Sequence, residues 1–95
     1  MIRIVKMHFQ AQHSEDFLAL FETIKAKIRN VEGCRSVSLL RDKTDIGIFF
    51  TYSHWRSEQD LENYRTSELF ISTWQTIKPW FAQRGEAWSV DCIDE

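Results

Sequence analysis

The chain reads as an α+β protein, a ferredoxin-like antiparallel sheet built in the order β-α-β-β-α-α-β. Two long stretches carry apolar residues at helical spacing, and four shorter runs alternate apolar and polar residues with the period of a strand. Their order is that of a split βαβ unit, in which helices collect on one face of an antiparallel sheet. No repeat, low-complexity run or Pro/Gly-rich linker divides the 95 residues, so residues 1–95 are expected to form one domain.

The first strand is predicted over residues 2–9, where Ile2 and Ile4 take one face and Val5, Met7 and Phe9 the other. Ser14 then serves as the expected cap of a helix, with Glu15 and Asp16 in the first turn, where the helix dipole favours negative charge. Phe17, Leu20, Phe21, Ile24, Ile28 and Val31 make its apolar stripe, and Gly33 is the expected stop. Residues 34–41 form the second strand, with Val37 and Leu39 on one face, and "RDKTD" is a polar hairpin connector. The third strand, "IGIFFTYSHW" from Ile46 to Trp55, sets Ile46, Ile48, Phe50 and Tyr52 against Phe49, Thr51 and Trp55. Ser57 caps a short helix, with Asp60 three residues on as a near capping box. A further helix starts at Thr66 or Ser67 with Phe70, Trp74, Ile77 and Phe81 along one stripe, and Pro79 ends or kinks it near Ile77 or Lys78. The last strand is expected after Gly85, in "EAWSVDCID", with Trp88 and Val90 on one face.

Charge and composition remove several functional classes. Twelve basic residues scattered among fourteen acidic ones give a net charge of −2, which argues against binding a nucleic-acid backbone. Cys34 and Cys92 belong to no CxxC, and His8, His13 and His54 do not fall at metal-ligand spacing, so no metal is assigned. Three glycines leave no phosphate-binding loop. The N-terminus is too charged for a signal peptide and no run suits a membrane span, so the expectation is a cytoplasmic protein with reduced cysteines. The aromatic content of 14% is high for so short a chain and predicts a bulky core, a ring-lined pocket, or both.

Strands one and three are apolar on both faces, but helices can cover only one. An antiparallel sheet facing water should be polar on its open side. A second copy of the sheet is the simplest cover, which predicts a two-fold homodimer packed sheet to sheet.

The element order, "VEGC" ahead of the second strand, the W-x-S-x-x-x-L-x-x-Y run of Trp55, Ser57, Leu61 and Tyr64, and "RTSELF" (65–70) together resemble the antibiotic biosynthesis monooxygenase domain across essentially the whole chain. The resemblance implies a dimeric α/β barrel with a ligand pocket in each subunit between helices and sheet. Its members include quinone-forming monooxygenases that use O₂ without metal or flavin, and a haem-degrading branch. This chain has Ser53 where the family often has Glu, and Tyr64 where it often has His. The haem-degrading branch needs an Asn on strand one, where Val5 or Met7 stands here, a Trp near the position of Tyr64 and a His near that of Trp74.

The candidate catalytic residues are therefore His54, which could take a phenolic proton, and Tyr64, which could hydrogen-bond a bound hydroxyl. The alternatives are a strand-end histidine at a subunit seam or in solvent, and a core tyrosine with its hydroxyl at the edge. Phe21, Phe70 and Trp74, joined by Met7 and Tyr64, are the candidate pocket for a small hydrophobic or aromatic ligand, against the simpler reading of an aromatic core. Arg56 and Arg65 could draw an anionic substrate or pair with neighbouring acids. The function expected is a cofactor-independent monooxygenase acting on a small aromatic or quinol-like compound. The alternative is a non-catalytic ligand-binding or stress-response module on the same scaffold.

Overall fold

The computed structural model describes all 95 residues, Met1 to Glu95. Strands β1 (Ile2–Phe9), β2 (Cys34–Arg41), β3 (Ile48–Trp55) and β4 (Phe81–Val90) form one antiparallel sheet in the order β2-β3-β1-β4. Helices α1 (Ser14–Arg29), α2 (Glu58–Arg65) and α3 (Glu68–Ile77) lie on one face, the arrangement expected from the element order. None of them is long and apolar enough to cross a membrane.

Register decides which side chains meet the helices. Val5 pairs with Thr51 and Ala87, and Met7 with Phe49, so the odd-numbered residues of β1 and β3 line the covered face. Met7, Phe9, Phe49 and Val37 are buried there against Phe17, Phe21, Ile24 and Ile28 of α1. Burying each such side chain stabilises the fold by about 1.5–3 kcal/mol. On the other face Ile4 pairs with Tyr52 and Trp88, and Phe50 lies between Leu40 and Lys6.

Five boundaries differ from those expected, three for local reasons and the two of β4 through pairing with β1. Ser14 is the first residue of α1 rather than its cap: a 3-10 turn over Ala11–His13 precedes it, and the Ser14 hydroxyl donates back to the Ala11 carbonyl at 2.9 Å. The helix closes at Asn30, so Val31 lies beyond it, and Gly33 turns the chain at φ +83°. A Cβ at Gly33 would also collide with the Asp60 carboxyl. β3 begins at Ile48, not Ile46. The Asp42 carboxylate accepts from Thr44 and Asp45, and Asp45 from Gly47, which winds residues 42–47 into a turn and leaves Ile46 56% exposed. Gly47 fits there because a side chain would strike the Phe9 carbonyl.

β4 begins at Phe81, before Gly85, and stops at Val90. Its start is fixed by pairing rather than by alternation: Phe81 lies opposite Phe9, and the Gln10 amide donates to the Trp80 carbonyl at 2.8 Å. Register shifts between Lys6 and Phe9 break the alternation that would have advertised the strand. Val90 pairs with Ile2, so β1 ends where residues 91–94 would need a partner. The caps of the two short helices are those expected. The Ser57 hydroxyl accepts from Asp60 N and the Ser67 hydroxyl from Phe70 N.

Candidate functional site

α1 packs directly on the sheet, whereas α3 spans it. The N-terminal end of α3 is tied to α2 through Ser67, whose hydroxyl donates to the Tyr64 carbonyl at 2.6 Å. Its C-terminal end runs into the 3-10 turn Lys78–Trp80, held by Gln10 and by stacking of Trp80 on His13 at 5.6 Å. Beneath the span lies a cavity of about 610 Å³. Val5, Met7, Thr51 and Ser53 of the sheet, Phe21 and Ile24 of α1, Leu61 and Tyr64 of α2, and Phe70, Trp74 and Ile77 of α3 all line it.

Aromatic rings form a continuous wall along it. Trp55 stacks on Tyr64 at 5.1 Å, Tyr64 meets Phe70 edge-on at 5.3 Å, Phe70 lies 5.9 Å from Trp74, and Trp74 meets Phe81 edge-on at 5.4 Å. Such offset and edge-on pairs hold their geometry through the ring quadrupoles. Phe70 and Trp74 are only half-buried although they sit on the apolar stripe of α3, because their rings border the cavity, whereas Ile77 farther along the stripe is buried.

The polar groups of the lining differ in availability. Ser53 is already engaged: it accepts from the Trp55 indole N–H at 2.9 Å and gives its one proton to the Arg3 carbonyl at 3.3 Å. The Thr51 and Tyr64 hydroxyls have no partner within the chain, and neither is sealed away, since every enclosed polar atom is satisfied. Burial, helped by the nearby Cys34 thiol, pushes the Tyr64 phenol up to about 12, so at neutral pH it is a donor and not a base. Arg3 reaches the lining from β1, its Nη1 donating to the Ser89 hydroxyl at 2.9 Å. Burial and then the neighbouring Arg65 lower its pKa, with Glu62 partly opposing them.

Met7, Phe21, Tyr64, Phe70 and Trp74 are thus brought together around one cavity, with Arg65 at its rim. His54 is not brought to them. It lies between the inward-facing Ser53 and Trp55, pairs with Ile2 and Ser36, and packs against Tyr52 at 5.3 Å on the open face of the sheet. Arg56 is absorbed by an ion-pair corner, bonding Asp60 at 2.8 and 3.0 Å and Glu32 at 3.3 Å. No three His, Cys, Asp or Glu side chains converge as a metal set, and no imidazole or thiol lines the cavity to ligate a haem iron. Sequence reasoning missed Arg3 and Thr51, and named Ser53 only as standing where the family often has Glu. A signal for Arg3 existed, since strict alternation puts it on the same face as Val5, Met7 and Phe9.

The family model described as Antibiotic biosynthesis monooxygenase matches residues 1–76. The chain belongs to the antibiotic biosynthesis monooxygenase (ABM) family. Solved structures agree in fold. A structure described as an antibiotic biosynthesis monooxygenase superposes with a TM-score of 0.90 at 20% identity, over 99% of this chain and 100% of the other. Rv0793 of Mycobacterium tuberculosis gives 0.87 at 19% identity, over 99% and 95%. A candidate antibiotic biosynthesis monooxygenase of Nitrosomonas europaea gives 0.89 at 14%, over 98% of each chain. These superpositions take in β4, which lies outside the family-model match. No curated protein matches the chain significantly. Within the ABM fold, the cavity of this chain is rich in rings and cations and poor in bases.

Proposed function

We propose that this ABM protein is a monooxygenase acting without metal or flavin on a small aromatic or quinol-like compound bound under α3. The cavity of about 610 Å³ with its aromatic wall carries the reading. That volume lies within the range of small-molecule sites, and the ring-lined walls suit a flat ligand. Glu86, at the exposed edge, is the only acidic side chain of the lining. A substrate must therefore be acidic enough to ionise with help from positive charge. The cationic side chains of the lining supply that charge, and a nearby cation lowers the pKa of a bound phenol. Tyr64, kept protonated, donates to the resulting oxyanion. Electron-rich carbon of the anion then reacts with O₂, one oxygen atom entering the product and the other leaving as water with two substrate hydrogens.

The shortage of bases, and the commitment of the Ser53 proton to the Arg3 carbonyl, favour a second reading: a binding module that holds such a compound without turning it over. Oxygen uptake by the purified protein across a panel of quinols and polyphenols separates the two. Uptake lost in Tyr64→Phe, with an unchanged melting temperature, supports the enzyme. A thermal shift with one of these compounds and no oxygen uptake leaves the binding module.

The functional unit proposed is a homodimer joined through the open sheet faces. Ile4, Phe50, Tyr52, Trp88 and Val90 form an apolar field there, with Trp88 44% exposed, and His54 falls at its margin. Light scattering should give a species near twice 11.3 kDa, reduced to one subunit by Trp88→Glu. A wild-type mass of one subunit at micromolar concentration removes the dimer.

A further inference from the structure

The cavity is charged in the opposite sense to the rest of the molecule. The chain carries a net −2, yet Arg3, Arg65, Lys78 and Arg84 line the cavity against Glu86 alone. Lys78 and Arg84 stand in solvent at the β4 end, whereas Arg3 is partly buried beneath α2. Arg3 has no carboxylate partner. Its one side-chain bond is to Ser89 at 2.9 Å, which leaves most of its five N–H donors uncommitted. Arg65 gives Nη1 to Glu62 at 3.1 Å in an exposed ion pair, the kind that contributes little.

A second, polar hollow of about 350 Å³ adjoins the cavity at this point, and Arg3, Leu61 and Arg65 line both. Glu58 and Glu62 belong to the polar hollow only. Two guanidiniums therefore stand where an apolar chamber passes into a wet one. Glu62 offsets part of the positive charge, pairing with Arg65 and lying near Arg3, but it leaves the free N–H donors of Arg3 unfilled, and a bidentate guanidinium–carboxylate contact is among the strongest polar contacts available.

We propose that Arg3 and Arg65 form an anion subsite at the mouth of the cavity, so that the ligand is an aromatic carboxylate with its rings under α3 and its carboxylate on the guanidinium pair. This rests on the cavity being the ligand site, as in the reading above. It adds the charge of the ligand and the direction in which it enters, carboxylate toward the gap between α2 and β4.

The test is a fluorescence titration of the full-length protein with two matched probes, anthracene-2-carboxylate and the neutral 2-(hydroxymethyl)anthracene. The carboxylate should bind about 10–100-fold more tightly than the alcohol. Arg3→Met and Arg65→Met should each remove most of that advantage and leave the alcohol within about twofold. Raising NaCl from 50 to 500 mM on the unaltered protein should weaken the carboxylate alone, a readout that survives if either variant fails to fold. Equal affinity for the two probes, or a salt-insensitive preference, overturns the anion subsite and leaves the cavity reading intact. If neither probe binds, the cavity reading falls and the subsite with it.

Discussion

The helical layer covers the sheet in two unlike halves. Under α1, Phe9, Phe17 and Phe49 meet at ring-centroid distances of 4.5 and 5.2 Å and are buried. Under α3, Phe70 and Trp74 carry the same chemistry at the same helical spacing, yet they border a cavity. The difference lies in how the helices are anchored. α1 lays sixteen residues along the sheet with its own stripe as the contact. α3 runs between the turn at Ser67 and the 3-10 turn at Pro79, with Ile77 buried in the core and Phe70 and Trp74 facing the cavity. Aromatic content alone therefore does not tell a core from a pocket.

The sharpest way to break the comparison is one substitution made in both halves. Phe49→Ala, at a fully buried position, should lose about 3–5 kcal/mol in urea unfolding, the usual loss for emptying a packed ring site. Phe70→Ala should lose only about 1–2 kcal/mol, because the ring already faces space. Equal losses would mean that α3 is packed like α1.

Hydroxyls give a smaller version of the same contrast. Ser53→Ala strands the Trp55 indole N–H, 2% exposed, and should cost about 1–3 kcal/mol. Thr51→Val removes a hydroxyl with no partner in the chain and should stay within about 0.5 kcal/mol of the parent. A costly Thr51→Val, measured the same way, would reveal a bond made across the cavity.

The corner beside the packed half should be acid-sensitive. Asp60 is held below the usual carboxylate range chiefly by the hydrogen bond from Arg56, against burial and with help from Ser57. A depressed folded-state pKa gives stability that is present above the unfolded value of about 3.9 and disappears as pH falls through the folded one. The gap in melting temperature between the parent and Asp60→Asn should hold steady from pH 7 to 5 and narrow below about pH 4. A gap that stays constant down to pH 2 would dissociate the Arg56–Asp60 pair from stability.

The smallest effect expected is none at all. With its phenol at about 12, Tyr64 should add nothing to an ultraviolet absorbance titration between pH 6 and 10, and any loss of binding in Tyr64→Phe should be flat from pH 6 to 9. A step in that range would make Tyr64 an acid–base group.

The local elements were legible because each rests on a short-range rule. The α1 stripe, the Ser57 and Ser67 caps and the Pro79 stop need only a few residues to be recognised. The Trp55–Tyr64 run carried the family resemblance for a related reason: it includes the Ser57 cap of α2 and leads into the Arg56–Asp60 corner. β4 differs from the strand expected after Gly85 at both ends because its limits belong to its partner, starting where Phe81 meets Phe9 and stopping where β1 runs out at Ile2.

By itself the sequence determined the α+β class, the order of elements, the two apolar sheet faces and the rings that line the cavity, since periodicity writes these directly into the chain. Only the tertiary structure decided that Phe70 and Trp74 border a hollow while Phe49 fills a core, that His54 lies across the sheet from Tyr64, and that Arg3 meets Arg65. Those outcomes depend on helix height above the sheet and on strand register. Both are set by contacts between residues tens of positions apart, such as Gln10 with Trp80 and Arg3 with Ser89, and no local pattern encodes them.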